Sequence, residues 1–243
     1  MGDYTVSKTA MHVFRKVAAR LPNYWQSELK RIHYRRRIRR GTFLSDEPEF
    51  AMLSRLITHG DWVVDVGANV GFYTKRLAEL VGSEGRVLAF EPVPETFALL
   101  TSNIALCGLS NVSLFNAAVS ESTSLAGISI PDYSDTKQLN YYQAHLTSLA
   151  DSELRILTLS LDSIQIPSRV RLIKIDAEGH EYSVIQGMKK TVLRDRPILI
   201  VEAPHSDTRA LIESLGYVST VLADSPNVVF HCNGLRWEYL EKS

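Results

Sequence analysis

The stretch WVVDVGANVGFYT, residues 62–74, decides the fold of this chain. Its first five residues are mostly apolar, which is typical of a strand that is buried on both faces of a sheet. Gly67 and Gly71 then frame a tight loop, because glycine allows a sharp turn and the close approach of a ligand. The residues after Gly71 have the pattern of a helix. A helix that begins at such a loop points its free N–H groups at the ligand, so the stretch predicts a binding loop.

The chain on either side of this stretch alternates between predicted strands and helices. Strands are expected at 62–66, 86–90, 112–119, 155–161, 170–175 and 198–201. Helices are expected from 47 to about 57 and at 72–80, 94–107, 180–193 and 206–215. Residues 217–222 and 228–231 are expected to pair as a hairpin. This order predicts an α/β fold: a Rossmann-like, doubly wound and mostly parallel sheet with a C-terminal antiparallel hairpin.

Charge is distributed unevenly along the 243 residues, although 27 basic and 27 acidic side chains balance overall. Residues 1–40 carry a net charge of +9 and residues 41–243 a net charge of −9. A total charge of zero argues against a protein that binds polyanions. The uneven distribution of the charge leaves such binding open for residues 1–40. We therefore predict a basic helical arm, residues 1–41, attached to an acidic domain, residues 42–243.

The arm contains seven basic residues between 30 and 40, with aromatic and aliphatic residues between them. This pattern favours peripheral contact of residues 30–40 with an anionic membrane surface or a glycolipid over contact with nucleic acid. There are three alternatives for the role of the arm: a solvated helix face, an oligomer interface or a cover over the cofactor.

The sequence has no run of about 18 apolar residues and no apolar leader segment, so the expectation is a cytoplasmic protein. Its two cysteines lack a CxxC spacing, which favours reduced thiols.

Residues 120–156 interrupt the strand–helix alternation and are rich in Ser, Thr, Tyr, Asn and Gln. A stretch of this length in a compact domain is usually functional, so we predict a substrate lid or insert. Aromatic faces stack on sugar rings and amides bind hydroxyls, which suits a sugar-like acceptor. The residues of this kind are Tyr133, Tyr141, Tyr142, Gln143 and His145.

Glu91 follows the second strand, twenty residues after Gly71. An acidic residue at this place is where a nucleotide ribose is held, because a carboxylate can accept hydrogen bonds from both hydroxyls. The loop itself is not GxGxxG, so the full dinucleotide fingerprint is absent. This absence disfavours a nicotinamide cofactor.

Three motifs stand out along the chain: VVDVGANVGFYT at 63–74, FEP at 90–92 and LIKIDAEGHE at 172–181. Taken together they resemble those of the FkbM-type methyltransferases, which are class I enzymes that depend on S-adenosylmethionine and mostly methylate oxygen. The resemblance covers roughly residues 42–232. It implies the class I methyltransferase fold, S-adenosylmethionine as the cofactor and a small-molecule or glycan acceptor.

The resemblance also implies where the cofactor binds. Its methionine part would lie beside the loop, its ribose at Glu91 and its adenine near the end of the third strand, with Asn103 in support. The cofactor-binding candidates are Asp65, Gly67, Ala68, Asn69, Gly71, Phe72, Glu91, Asn116, Ala117 and Asp176.

Candidate catalytic residues follow the central strands at 170–175 and 198–201, because strand ends face the ligand crevice. They are Asp176, Glu178, His180 and Glu202. Methyl transfer to a hydroxyl needs a group that accepts the proton. Either one carboxylate acts as that base, or Asp176 and Glu202 bind a divalent cation such as Mg²⁺ that lowers the pKa of the hydroxyl. The family often has a small residue at the position of His180, so a surface or capping role for this histidine is also open.

The sequence therefore predicts an S-adenosylmethionine-dependent O-methyltransferase that acts on a saccharide or another small polyhydroxylated metabolite. The Asn-Pro-Pro-Tyr tetrapeptide typical of amino-group methylation is absent, which favours a hydroxyl acceptor. Three alternatives remain: an RNA methyltransferase guided by the basic arm, a nicotinamide-dependent oxidoreductase, and a non-catalytic cofactor-binding or membrane-adaptor module.

Overall fold

The computed structural model of the chain describes residues 22–130, 144–149, 152 and 154–232. The helices are α1 Asn23–Arg39, α2 Pro48–Leu56, α3 Phe72–Val81, α4 Pro94–Leu106, α5 Glu181–Gln186, α6 Lys189–Asp195 and α7 Ser206–Ser214. The strands are β1 Trp62–Val66, β2 Arg86–Phe90, β3 Val112–Phe115, β4 Ala118–Val119, β5 Ser124–Ser129, β6 His145–Thr147, β7 Leu154–Leu159, β8 Val170–Ile175, β9 Ile198–Glu202, β10 Tyr217–Val221 and β11 Asn227–Cys232.

Seven strands form the main sheet in the order β10-β11-β9-β8-β1-β2-β3. The five strands from β9 to β3 in this order are parallel, and β10 and β11 add an antiparallel edge. Apolar side chains on both faces of the sheet are buried, under α2, α3 and α4 on one side and under α5, α6 and α7 on the other. The predicted fold, a doubly wound, mostly parallel sheet with a terminal antiparallel hairpin, is confirmed.

The single strand predicted at 112–119 is wrong, because the chain changes sheets at Asn116. Strand β3 ends the main sheet, whereas β4 belongs to a second sheet of order β4-β7-β5-β6. The amide nitrogen Nδ2 of Asn116 donates to the carbonyl oxygens of Glu91 and Pro92, at 2.9 and 3.1 Å. The side-chain amide thus satisfies the two carbonyl groups that follow β2, and the backbone hydrogen bonding between β2 and β3 ends there.

The second sheet contains two strands, β5 and β6, that the sequence did not reveal, whereas β7 agrees with the strand expected at 155–161. Ile128 of β5 and Ile156 of β7 are buried together in an apolar cluster. Strands as short as β5 and β6 carry a weak pattern, which is why they were missed. Tyr133, Tyr141, Tyr142 and Gln143 lie outside the described residues, and the lid remains a prediction.

The single helix predicted at 180–193 is also wrong, because two helices meet at Gly187. The carbonyl oxygen of Gly187 accepts hydrogen bonds from the backbone N–H of Asp162 and the hydroxyl of Ser160, at 3.0 and 2.7 Å. The Asp162 carboxylate in turn accepts from the N–H groups of Lys190 and Thr191, at 2.8 and 2.9 Å. The carboxylate thereby caps the start of α6. The break between α5 and α6 is therefore specified by a turn that is distant in the sequence.

The arm is packed against the domain where the structure describes it. Tyr34 and Phe43 are buried together with Val70 of the binding loop and Leu99 of α4. The guanidinium of Arg37 lies 4.9 Å from the centroid of the Phe72 ring, a cation–π contact. Within the described ranges, no helix is both long and apolar enough to cross a bilayer. The division of the chain into an arm and a domain at residue 41 stays a prediction.

The ends of three strands meet at Gly67, which has a left-handed φ of +73°. Its N–H donates to the carbonyl oxygen of Phe90 at 3.0 Å, and the N–H of Asp176 donates to that of Val66 at 3.0 Å. A Cβ at position 67 would lie 1.8 Å from the carbonyl oxygen of Asp176. Only glycine therefore allows β1, β2 and β8 to end side by side.

Gly67→Ala is expected to lower the free energy of unfolding by about 3 kcal/mol or more, because backbone has to move to admit the methyl group. Gly108→Ala is the matched control, since Gly108 has a φ of +67° but a methyl group there would meet no atom within 4 Å. Gly108→Ala should lower the free energy of unfolding by only about 1–2 kcal/mol, the cost of a left-handed backbone conformation for a residue with a Cβ. Urea unfolding followed by circular dichroism measures both losses. Equal losses at the two positions would contradict the close approach.

Candidate active site

A cleft opens where β1, β2 and β8 end, and residues of the second sheet line its other side. The space between its walls, open solvent included, is about 610 Å³. The sequence-predicted residues that line it are Gly67, Asn69, Glu91, Ala117, Asp176, Glu178 and His180. Val93, Ile128 and Leu146 contribute an apolar wall. The cleft thus has a polar edge at the main sheet and an apolar edge at the second sheet.

Six other sequence-predicted residues do not line this cleft. They are Asp65, Ala68, Gly71, Phe72, Asn116 and Glu202. Gly71 begins α3 with a φ of +97°, and the ring of Phe72 packs on that of Phe43, with the centroids 4.3 Å apart. Their positions suit a supporting role, in which they shape the loop and the strand ends.

The binding loop is fastened from both sides. Asn69 adopts a left-handed φ of +51°, and its N–H donates to Oε2 of Glu91 at 2.9 Å. The Nδ2 group of Asn103, which is buried in α4, donates to the carbonyl oxygen of Val70 at 2.9 Å. The loop is therefore held in one conformation before any ligand arrives, which lowers the entropic cost of binding.

Glu91 is only 5% exposed, yet its carboxyl group borders the cleft. Oε1 accepts the N–H of Val93 and Oε2 that of Asn69, both at 2.9 Å. Burial raises the pKa of Glu91 to about 7, although both backbone bonds favour the charged form. Each oxygen can accept a second hydrogen bond, so the group can hold a vicinal diol.

Lys174 places an ammonium group inside the protein, since this residue of β8 is only 5% exposed. Its Nζ lies 2.8 Å from Oδ2 of Asp176 and 5.0 Å from the centroid of the Tyr73 ring. Burial alone would lower the pKa of Lys174, but the carboxylates of Asp176 and Asp65 outweigh it and raise this pKa to about 12. The ammonium is therefore charged at all physiological pH values.

Asp65 of β1 is paired with Lys174 on the neighbouring strand β8. Its carboxyl group is fully buried, and the hydroxyl of Thr74 donates to Oδ2 at 2.6 Å. Oδ1 has no hydrogen-bond partner among the described residues. Burial raises the pKa of Asp65 above its ordinary value, against the opposing effect of Lys174. Asp65 thus acts inside the sheet, behind the cleft.

Asp176 and Glu202 form a hydrogen-bonded carboxyl pair at the ends of β8 and β9. The hydrogen bond to Asp176, together with burial, raises the pKa of Glu202 to about 9. Burial alone would raise the pKa of Asp176, but the Lys174 ammonium and the bond from Glu202 hold it below its ordinary value. Near neutral pH, the pair therefore consists of an ionised Asp176 and a protonated Glu202.

A divalent cation does not fit this arrangement well. Carboxyl oxygens of Asp176, Glu178 and Glu202 lie within 4.8 Å of one another, close enough to share an ion. However, the Lys174 ammonium already occupies Oδ2 of Asp176 at 2.8 Å. A cation would also have to displace the proton of Glu202, because a ligating carboxyl group must be ionised. Of the two alternatives that the sequence left open, the geometry favours a carboxylate base without a metal.

Glu178 and His180 flank the carboxyl pair on the turn before α5. Glu178 is exposed as a whole, but partial burial of its carboxyl group, together with the nearby Asp176 carboxylate, raises its pKa. Nε2 of His180 lies 2.9 Å from the hydroxyl of Ser120, and burial lowers the pKa of His180. The carboxylate of Glu181 accepts the N–H of Gly179 at 3.0 Å and closes the turn. His180 is thus fixed in position and largely neutral near pH 7.

Lys174, Thr74 and Ser120 belong to the site although they were not among the predicted site residues. A lysine inside the apolar run 172–175 was a usable signal, because an unpaired buried ammonium is very costly. The roles of Thr74 and Ser120 depend on contacts with residues that are distant in the sequence. No local sequence pattern predicts these two roles.

Comparison with known proteins places the chain in a family. Residues 65–219 match the model of the Methyltransferase FkbM domain. A segment of 145 residues is 28% identical to Methyltransferase 1 of Beauveria bassiana, covering 52% of this chain and 58% of that protein. A segment of 146 residues is 29% identical to the hexuronic acid methyltransferase AglP of Haloferax volcanii, covering 58% of this chain and 55% of that protein. The chain thus spans a little over half the length of these two relatives.

A solved structure shares the fold. The crystal structure of Methyltransferase FkbM from Methylobacillus flagellatus superposes with a TM-score of 0.52 at 17% sequence identity. The match covers 92% of this chain and 59% of the other. At this identity the likeness concerns the fold alone.

Glu91 is expected to make the stability of the protein depend on pH. Its folded-state pKa of about 7 lies above its ordinary value of 4.5, so the folded state binds more protons between these values. The wild-type free energy of unfolding should therefore fall with rising pH in this window, relative to Glu91→Gln, by up to about 3 kcal/mol. Urea unfolding at a series of pH values measures the difference.

Glu84→Gln is the control for this experiment, because Glu84 is exposed and its carboxyl group is solvated in the folded and the unfolded state. Its stability curve should run parallel to that of the wild type. If the curve of Glu91→Gln were parallel as well, Glu91 would not be a desolvated carboxyl group.

Proposed function

Because the chain belongs to the FkbM methyltransferase family, we propose that it transfers a methyl group from S-adenosylmethionine to a hydroxyl of a saccharide or another small polyhydroxylated metabolite. Family membership agrees with the motif resemblance and disfavours a nicotinamide-dependent oxidoreductase. The observation that carries the proposal is an ionised carboxylate, that of Asp176, at the edge of the cleft beside the binding loop. A hydroxyl acceptor needs such a group, since it gives up a proton.

The cleft offers groups that suit S-adenosylmethionine. Gly67 lines the cleft with backbone alone, which allows close approach of a ligand. The Glu91 carboxyl group can accept both ribose hydroxyls, and the apolar wall with Val93 and Ile128 suits an adenine ring. When bound, this cofactor supplies an electrophilic methyl group on a sulfonium.

The remaining chemistry falls to the residues of this chain. Asp176 accepts a hydrogen bond from the acceptor hydroxyl, orients its oxygen toward the methyl group and then takes its proton. The oxygen becomes strongly acidic as the new C–O bond forms, so a weakly basic carboxylate suffices. Lys174 and Glu202 hold Asp176 in place and keep it ionised.

A saccharide acceptor is supported by two observations. One relative, AglP, is named for the methylation of a hexuronic acid, which is a sugar. The sequence between β5 and β7 is also rich in tyrosine and amide side chains that suit polyhydroxylated ligands. His145, at the start of β6, is exposed in this region.

Two conservative variants test the role of Asp176. Asp176→Asn should lower turnover at least about 100-fold, because it removes the proton acceptor. Glu202→Gln should retain most of the activity, since glutamine still donates a hydrogen bond to Asp176. The measurement is transfer of a deuterated methyl group to a panel of monosaccharides and glycosides, followed by mass spectrometry. Calorimetry with S-adenosylhomocysteine serves as the control and should give similar affinities for both variants and the wild type.

Each result separates one part of the proposal. A wild type that does not bind S-adenosylhomocysteine would contradict a methyltransferase altogether. An inactive Glu202→Gln would make Glu202 the base or a cation ligand. Full activity of Asp176→Asn would remove Asp176 from the reaction.

A further inference from the structure

Helix α1 exposes a face of mixed character on the side away from the domain. Trp25, Ile32, Arg36 and Arg39 follow one another at intervals of seven, four and three residues, which places them on one side of the helix. Trp25 is 56% exposed and Ile32 45% exposed, and both arginines are exposed. We call these four residues the outer face.

The opposite side of α1 determines how the outer face is oriented. Tyr34 is buried in an edge-to-face contact with Phe43, and Ile38 packs on the same cluster. These contacts attach α1 to the domain through its inner side. The exposure of Trp25 and Ile32 is therefore a property of the folded protein, since the apolar surface needed for packing lies elsewhere on the helix.

The outer face carries an uncompensated positive charge. Arg35 and Arg40 are exposed beside Arg36 and Arg39. In the part of the chain that the structure describes, no ion pair involves any of these four arginines, whereas Arg31 pairs with Glu28 at 2.6 Å. A cluster of four unneutralised arginines attracts an anionic surface.

We propose that the outer face docks the protein on an anionic lipid bilayer. The four arginines supply the attraction to acidic headgroups, and Trp25 occupies the interfacial depth that tryptophan prefers in membranes. An RNA partner explains the arginines but not Ile32, because an aliphatic side chain gains nothing from a phosphate backbone. The proposal does not depend on the methyl acceptor.

Vesicle sedimentation with the full chain tests the proposal. The wild type should bind vesicles of phosphatidylserine and phosphatidylcholine, and binding should fall with added salt or with phosphatidylcholine alone. The double variant Arg36→Gln, Arg39→Gln should bind about 25-fold more weakly, at about fivefold for each arginine. The control, Arg155→Gln with Lys190→Gln, removes the same charge from exposed positions elsewhere and should bind like the wild type. All these proteins should bind S-adenosylhomocysteine alike.

A spectroscopic readout separates docking from loose attraction. Trp25 should enter the interface, so vesicles should shift the tryptophan emission of the wild type to shorter wavelength and leave that of Trp25→Phe unshifted. Equal vesicle binding by the outer-face variant and its control would overturn the proposal. So would a loss of binding to a single-stranded RNA oligonucleotide in the outer-face variant without any loss of vesicle binding.

Discussion

The ammonium group of Lys174 is the charge on which the candidate site depends. It lies inside the main sheet, where an uncompensated ammonium would cost several kcal/mol. Asp65 on β1 and Asp176 at the end of β8 supply the compensating charge, and Glu202 at the end of β9 adds a hydrogen bond to Asp176. One buried cation thereby specifies the protonation of a carboxyl pair at the cleft.

Close backbone packing places this cluster at the ligand. Because Gly67 has no side chain, β1 and β8 end in contact, and the binding loop passes directly beside Asp176. Asn69 and Asn103 then hold the loop to Glu91 and α4. The second sheet borders the other side with apolar groups, which make that side of the cleft less polar.

Sequence patterns predicted the main sheet well, because β1 and β8 are mostly apolar and end at Gly67 and Asp176. They also placed Glu91 and Asp176 at one edge, as strand ends of a parallel sheet require. They did not predict the change of sheet at Asn116, where one side-chain amide decides the path. The position of Phe72 was equally hidden, because its packing partner Phe43 is distant in the sequence. Such contacts depend on tertiary structure, so no local pattern carries them.

A crystal structure with S-adenosylhomocysteine bound would show directly how the cleft holds the cofactor. We expect both ribose hydroxyls to lie within hydrogen-bond distance of the Glu91 carboxyl group, and the sulfur to face the Asp176 carboxylate across the cleft. A ligand bound elsewhere, or a sulfur turned away from Asp176, would contradict this expectation.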